Sequence, residues 1–99
     1  PYGLLKAHRG MYQIEFSEEA TKELLKLMKS DVQAYKKFES LIPELREHPY
    51  TGTGHPHQLR HVNGIWSRKL DKKNRLRHMV NDMTVIVFIV SAMGHYDDK

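Results

Sequence analysis

Leu59-Arg60-His61-Val62-Asn63-Gly64-Ile65-Trp66-Ser67-Arg68-Lys69-Leu70 decides how the second half of the chain is read. Asn63-Gly64 is a strong hairpin signal, because both residues tolerate the positive φ that a tight turn between twisted strands demands. The flanking stretches, 59–62 and 65–70, therefore predict two antiparallel strands. Residues 75–80 and 84–90 supply two more, separated by Asn81-Asp82. Everything after the glycine-rich segment Gly52-Thr53-Gly54 reads as a strand meander.

Working back toward the N-terminus, the period changes. Tyr12, Ile14 and Phe16 alternate with Gln13 and Glu15, as in a half-buried strand. Ser17 is placed to cap a helix, with Glu18 and Glu19 against its positive end. Ala20, Leu24, Leu27 and Met28 give that helix an apolar stripe. Ser30 and Gln33 have the spacing of a capping box for a second helix, whose stripe is Val32, Tyr35, Phe38, Ile42 and Leu45. Pro49 ends it and drives His48 out of the helical region. With Lys29-Ser30 as the connection, the helices form an antiparallel hairpin. The expected class is α+β: an N-terminal strand and a two-helix antiparallel hairpin packed on a mostly antiparallel twisted sheet.

Ninety-nine residues suit one small domain, here 11–99. Residues 1–10, which precede Met11, read as a leader or expression remnant, or else as a short native extension. They lack an uninterrupted apolar stretch, and the longest apolar run, 85–90, is too short for a bilayer. A cytoplasmic protein without a membrane partner is expected. Sixteen Lys and Arg against twelve Asp and Glu, with a pI near 9.4, favour anionic partners, nucleic acid first. The same excess also fits an ordinary basic domain. No cysteine is present, which removes disulfides, thiolate metal sites and cysteine nucleophiles.

Register decides where the charges point. Trp66 and Leu70 share the core face with Leu76 and Val80 only if an odd number of residues closes the turn near Lys72-Lys73. That parity gathers Ser67, Lys69, Arg75 and Arg77 on the opposite face. Like charges so placed repel unless an anion joins them; the alternative is a solvated outer face. Arg68 and His78 then fall on the core side, an anomaly that the sequence leaves open.

Cutting RNA without a metal requires a base for the 2′-hydroxyl, an acid for the departing 5′-oxygen and cations for the phosphorane. His57 on the glycine-rich loop and His95 beyond the last strand are candidates for the two proton transfers. Between them Lys69 and Arg75 could hold the phosphate, Arg75 with a bidentate fork. Tyr96 could stack on a base or hydrogen-bond near the leaving group. Arg68 and Arg77 join Lys69 as candidate RNA contacts. His55, His57 and His61 suggest a metal site only weakly, since no carboxylate or cysteine has matching spacing, and no cofactor or metal is expected. Asp97-Asp98 reads as a solvated tail, or as support for a protonated His95.

Several stretches in order resemble one family, the YoeB/Txe branch of the RelE superfamily of toxins. They are the loop Pro49-Tyr50-Thr51-Gly52 through Gly54 and Pro56, the block Asn63-Gly64 with Trp66-Ser67-Arg68, Asn74-Arg75-Leu76, and His95-Tyr96. The resemblance covers 11–96. It implies a RelE-like fold and a ribosome-dependent endoribonuclease that cuts messenger RNA in the A site. It also implies neutralisation by a small acidic antitoxin of YefM/Phd-like type, operator DNA contact only through that complex, and a homodimer in some members. By position, the resemblance implies Arg75 as the transition-state arginine and His95 as general acid, with Tyr96 assisting. Arg60 and Lys69 would hold RNA. Family members usually carry Glu as general base where this chain has His57. Either His57 takes over as base or the site is weakened, leaving a RelE-fold module that binds antitoxin and nucleic acid. Lys69 also stands where arginine is commoner, which keeps the charge and loses the fork.

Overall fold

The computed structural model describes residues 12–98, so the expectation for residues 1–10 lies outside the described residues. In chain order the elements are β1 (Gln13–Phe16), α1 (Glu18–Ser30), α2 (Val32–Glu47), β2 (His57–Gln58), β3 (Trp66–Lys69), β4 (Arg75–Asn81) and β5 (Ile86–Ser91). A short 3-10 turn, Tyr96–Asp98, follows. The sheet order is β1-β5-β4-β3-β2, with β1 parallel to β5 and the other pairs antiparallel. Both helices lie on one face, so the α+β class read from the sequence holds. Among the described residues no helix is long and apolar enough to cross a membrane.

Local chemistry explains the helix ends. The Ser17 hydroxyl accepts from the Ala20 amide at 2.9 Å and donates to the Val90 carbonyl at 2.7 Å, capping α1 and tying it to β5. The expected Ser30 cap on α2 does not form. Ser30 is still helical, and its hydroxyl turns back to the Lys26 carbonyl. Asp31, with φ −149°, leaves the helix and accepts from the Ala34 amide at 3.1 Å. A single residue thus links the two helices. The buried line of α2 is Ala34, Phe38, Leu41 and Leu45, which meets Ala20, Leu24 and Leu27 of α1 over Leu76, Val87 and Ile89 of the sheet. Met28 and Val32, expected in the stripes, are 43% and 49% exposed because the tight link turns them outward.

The turn after β3 has the predicted parity. Lys69 pairs with Arg75, leaving residues 70–74 as an odd-numbered connection, and Trp66, Arg68, Leu76 and His78 share the core face. The Asn63-Gly64 hairpin differs from expectation. The partner strand is not 59–62 but the two-residue β2, with His57 opposite Ser67 and Gln58 opposite Trp66. Only Gly64 of the pair has positive φ, so a two-residue mirror-image turn is not formed; the Ile65 amide instead closes on the Val62 carbonyl. The register is set earlier, where the Lys69 amide donates to the Gly54 carbonyl at 2.9 Å.

Arg68 accounts for that early register. It is wholly buried, and its Nη1 donates to Glu44 Oε1 at 2.6 Å and to the Thr53 carbonyl at 3.1 Å. Nη2 reaches the carbonyls of Thr51 and Pro49 at 3.3 and 3.4 Å. The assignment of Arg68 as an RNA contact is therefore corrected: pleating turns it inward opposite Leu76, where its charge binds the loop to α2. Burial would raise the Glu44 carboxyl, but hydrogen bonds from the Thr53 hydroxyl and amide and from Arg68 hold it below the usual range. His78, the other inward polar residue, is also fully buried and its Nε2 donates to the Pro49 carbonyl at 2.8 Å. Burial pushes its imidazole down to about 4, against the pull of the Pro49 carbonyl.

Two outcomes follow for stability. Arg68→Met leaves Glu44 without its cation and the Thr51 and Thr53 carbonyls without the guanidinium donor, and urea unfolding should register a loss of roughly 3 kcal/mol; a loss under about 0.5 kcal/mol, the size of an ordinary surface change, would contradict this role. His78 lies below its ordinary 6.5, so between those values the unfolded chain binds the extra proton. Stability is then full above pH 6.5 and falls as pH drops toward about 4, by at most about 1.4 kcal/mol per pH unit. Glu23, raised by burial beside Glu19, opposes this near the carboxylate range, so the upper part of the window is the clean one. A urea midpoint that stays flat from neutrality to about pH 5, well below the ordinary histidine range, would mean that His78 is hydrated.

Candidate active site

The face of the sheet away from the helices carries the cations. β3 and β4 set Ser67 opposite Arg77 and Lys69 opposite Arg75, as the parity argument required. An open cleft of about 490 Å³ lies over this face, lined by Gly54, His55, His57, Lys69, Asp71, Lys72, Arg75 and Tyr96. Four expected site residues therefore converge: one from the glycine-rich loop's end, two from facing strands and one from the 3-10 turn.

Arg75 is the most constrained of them. It is 7% exposed, its Nε donates to the Ser67 hydroxyl at 2.9 Å, and its amide donates to the Gly94 carbonyl at 2.8 Å. Burial draws the guanidinium below its ordinary range while Asp98 pulls the other way; an arginine so placed stays charged. Among the described residues, no carboxylate lies within ion-pair distance of it. Arg77 differs. Its Nε and Nη2 donate to Asp98 Oδ2 and Oδ1 at 2.7 and 2.8 Å, which holds it above the usual range. Asp98 is accordingly not a solvated tail. It also accepts from Ser67 at 3.1 Å and is held low by Arg77 first, with burial opposing and Ser67 and His95 adding to the effect.

The histidines meet at the same turn. His57 Nε2 lies 2.6 Å from the Asp98 backbone carbonyl, and Nδ1 lies 3.3 Å from the His55 carbonyl. A ring nitrogen bonded to a carbonyl must carry the proton, so Nε2 is a donor in this arrangement. His95 has φ +62°, pairs with Asn74 in an isolated bridge and accepts the Asp98 amide at 2.9 Å. It is half-buried one residue behind Tyr96, outside the immediate cleft lining. Arg60 is exposed on the β2–β3 connection and does not line the cleft. Asp98 and Ser67 carry more of the local electrostatics than composition indicated. For Ser67 the signal was its register opposite Arg77; for Asp98 nothing short of the folded turn revealed its partner. Among the described residues no three His, Asp or Glu side chains gather as a metal site.

The glycine-rich loop is held against β3. Gly54 has φ +85°, and a Cβ there would fall on the Lys69 carbonyl oxygen. Thr53 donates from its amide and hydroxyl to Glu44 at 2.7 and 2.9 Å.

The fold defined by this sheet and hairpin is that of a class of small microbial toxins. A YoeB/ParE toxin from Agrobacterium tumefaciens superposes with a TM-score of 0.79 at 20% identity, over 85% of this chain and 99% of that one. The YoeB dimer from Staphylococcus aureus gives 0.75 at 26% identity, over 86% and 98%. A YoeB–YefM complex from the same organism gives 0.73 at 26% identity over the same shares. In sequence, Toxin YoeB of Escherichia coli K12 is 33% identical over 82 residues, 82% of this chain and 95% of the relative. Toxin RelK of Mycobacterium tuberculosis is 29% identical over 87 residues, 87% of this chain and 100% of the relative. The family model for the YoeB-like toxin of bacterial type II toxin-antitoxin systems matches residues 16–96, and the chain belongs to that family.

Gly54 supplies the test of this geometry. Gly54→Ala should destabilise the fold by more than about 1 kcal/mol, since both the left-handed backbone and the Lys69 carbonyl oppose a side chain. Unchanged urea unfolding would mean that the loop moves freely away from β3.

Proposed function

We propose that this toxin is an endoribonuclease that acts in the cytoplasm on messenger RNA in the ribosomal A site and thereby stops translation. The observation that carries the reading is Arg75, a buried guanidinium on the cleft wall with no carboxylate partner among the described residues. A cation kept unpaired and partly dehydrated is suited to an anion whose charge rises in the transition state. Lys69 and Arg60 hold the flanking RNA, and Tyr96 stacks on a base or supports the leaving group.

In the reaction the 2′-hydroxyl attacks the adjacent phosphorus and the bond to the 5′-oxygen breaks. The products are a 2′,3′-cyclic phosphate and a free 5′-hydroxyl. His57 takes the 2′ proton and His95 returns one to the 5′-oxygen, while Arg75 neutralises the phosphorane. For His57 to act as base through Nε2, its hydrogen bond to the Asp98 carbonyl must first open and the proton that Nε2 donates there must pass to Nδ1 or to solvent. A small acidic antitoxin of YefM/Phd-like type would cover the basic face and neutralise the toxin, and operator DNA would be met only through that complex. The solved YoeB–YefM complex and YoeB dimer from Staphylococcus aureus support such pairing and a homodimer.

A second reading is favoured by the same His57 bond: a weakened relative that binds antitoxin and nucleic acid without cutting. Purified protein on ribosomes stalled over a defined message, with new RNA ends mapped by primer extension, separates the two. The nuclease reading expects a discrete A-site cut. Arg75→Ala should lower its rate roughly 100- to 1,000-fold, and His57→Ala or His95→Ala by at least about 100-fold. The rate should also be bell-shaped in pH. No cut despite ribosome binding would establish the binding module instead.

A further inference from the structure

The Tyr96–Asp98 turn does something the cleavage scheme does not use. The Asp98 carboxylate, 11% exposed, receives the Arg77 fork at 2.7 and 2.8 Å and the Ser67 hydroxyl at 3.1 Å. Ser67 in turn accepts from Arg75, so the occupied pair and the unoccupied arginine share one hydroxyl. An arginine fork plus a hydroxyl on a two-oxygen anion is the arrangement that also binds two non-bridging oxygens of a phosphodiester. The Ser67–Arg77 rung is two residues along the strands from the Lys69–Arg75 rung, about 6.8 Å. One nucleotide step of RNA backbone has a comparable length.

We infer that Ser67 and Arg77 form a second phosphate subsite beside the Arg75 cleft, and that Asp98 fills it as an internal anion which RNA must displace. This rests on the RNA-cleaving reading of the cleft and deepens it. The displaced group is also the one whose backbone carbonyl holds His57 Nε2. Entry of the neighbouring phosphate therefore takes away the acceptor that keeps the proton on Nε2; that proton passes to Nδ1 or to solvent, the nitrogen can act as base, and the turn works as a latch that opens on substrate. The cationic face accounts for why the latch is an acid: without an anion, Arg75 and Arg77, two residues apart on one face of β4, repel.

The test uses the full chain and a 2′-O-methyl RNA trinucleotide, which has no free nucleophile. Binding is measured by anisotropy, with the His57 ring nitrogens followed by NMR. Asp98→Asn should bind about three- to tenfold more tightly than wild type, since the internal competitor loses its charge. Arg77→Ala should bind more weakly and lower the salt slope by about one counterion. In wild type, RNA should break the His57 Nε2 contact, a readout that decides the matter even if a variant fails to fold. Equal or weaker binding by a folded Asp98→Asn, or a His57 contact that survives RNA saturation, would overturn the subsite. Tighter binding by Asp98→Asn in a protein that never cuts ribosome-bound message would sustain the subsite and end the nuclease reading. Cutting without that tighter binding would do the reverse.

Discussion

The rest of the structure depends on one buried guanidinium. Arg68 joins the end of α2, through Glu44, to the carbonyls of residues 49, 51 and 53 and to its own strand β3. Burying an unpaired charge would cost several kcal/mol, roughly as much as a small domain's net stability. Loop, helix and strand must therefore assemble together. Because the loop is held there, the Lys69 amide can reach the Gly54 carbonyl and β2 pairs at His57. The position of the proposed base on the outer face is thus set by an arginine on the inner one.

Strand pleating then divides the work. In four residues of β3, Trp66 and Arg68 serve the core while Ser67 and Lys69 serve the cleft. The outer face is organised by distributing carboxylates unequally: Asp98 goes to Arg77, and Arg75 receives none among the described residues. A 99-residue chain has little core to spare, so placing polar networks on both faces of two strands is an economical way to add a site.

Much of this is legible in the sequence. The strand at β1, the Ser17 cap, the two helices with Ala20, Leu24, Leu27, Phe38 and Leu45 inside, and the odd connection after β3 follow from local chemistry and from periods that backbone geometry imposes, though Met28 and Val32 turn outward. The facing of Ser67, Lys69, Arg75 and Arg77 followed from the same parity. What the sequence hid was tertiary. Parity put Arg68 on the core side but could not supply its partner, because Glu44 lies twenty-four positions away on a different element. Asn63-Gly64 pointed to a two-residue hairpin, but the register had already been chosen at Gly54. Asp31 displaced Ser30 as a cap because α1 runs two residues further, through Ser30, than the stripe ending at Met28 implied. The Asp98–Arg77 pair depends on consecutive left-handed residues at Gly94 and His95, which no periodicity reports.

The central claim is that Arg75 receives the scissile phosphate while His57 faces the attacking oxygen. The most direct measurement is a structure of this protein on a ribosome whose A-site message is 2′-O-methylated against cleavage. The account predicts the guanidinium of Arg75 on the phosphate oxygens, and a His57 nitrogen about 2.6–3.2 Å from the 2′-oxygen. A message seated over the exposed β2–β3 connection, with the Arg75 cleft empty of phosphate and His57 still bound to Asp98, would contradict it.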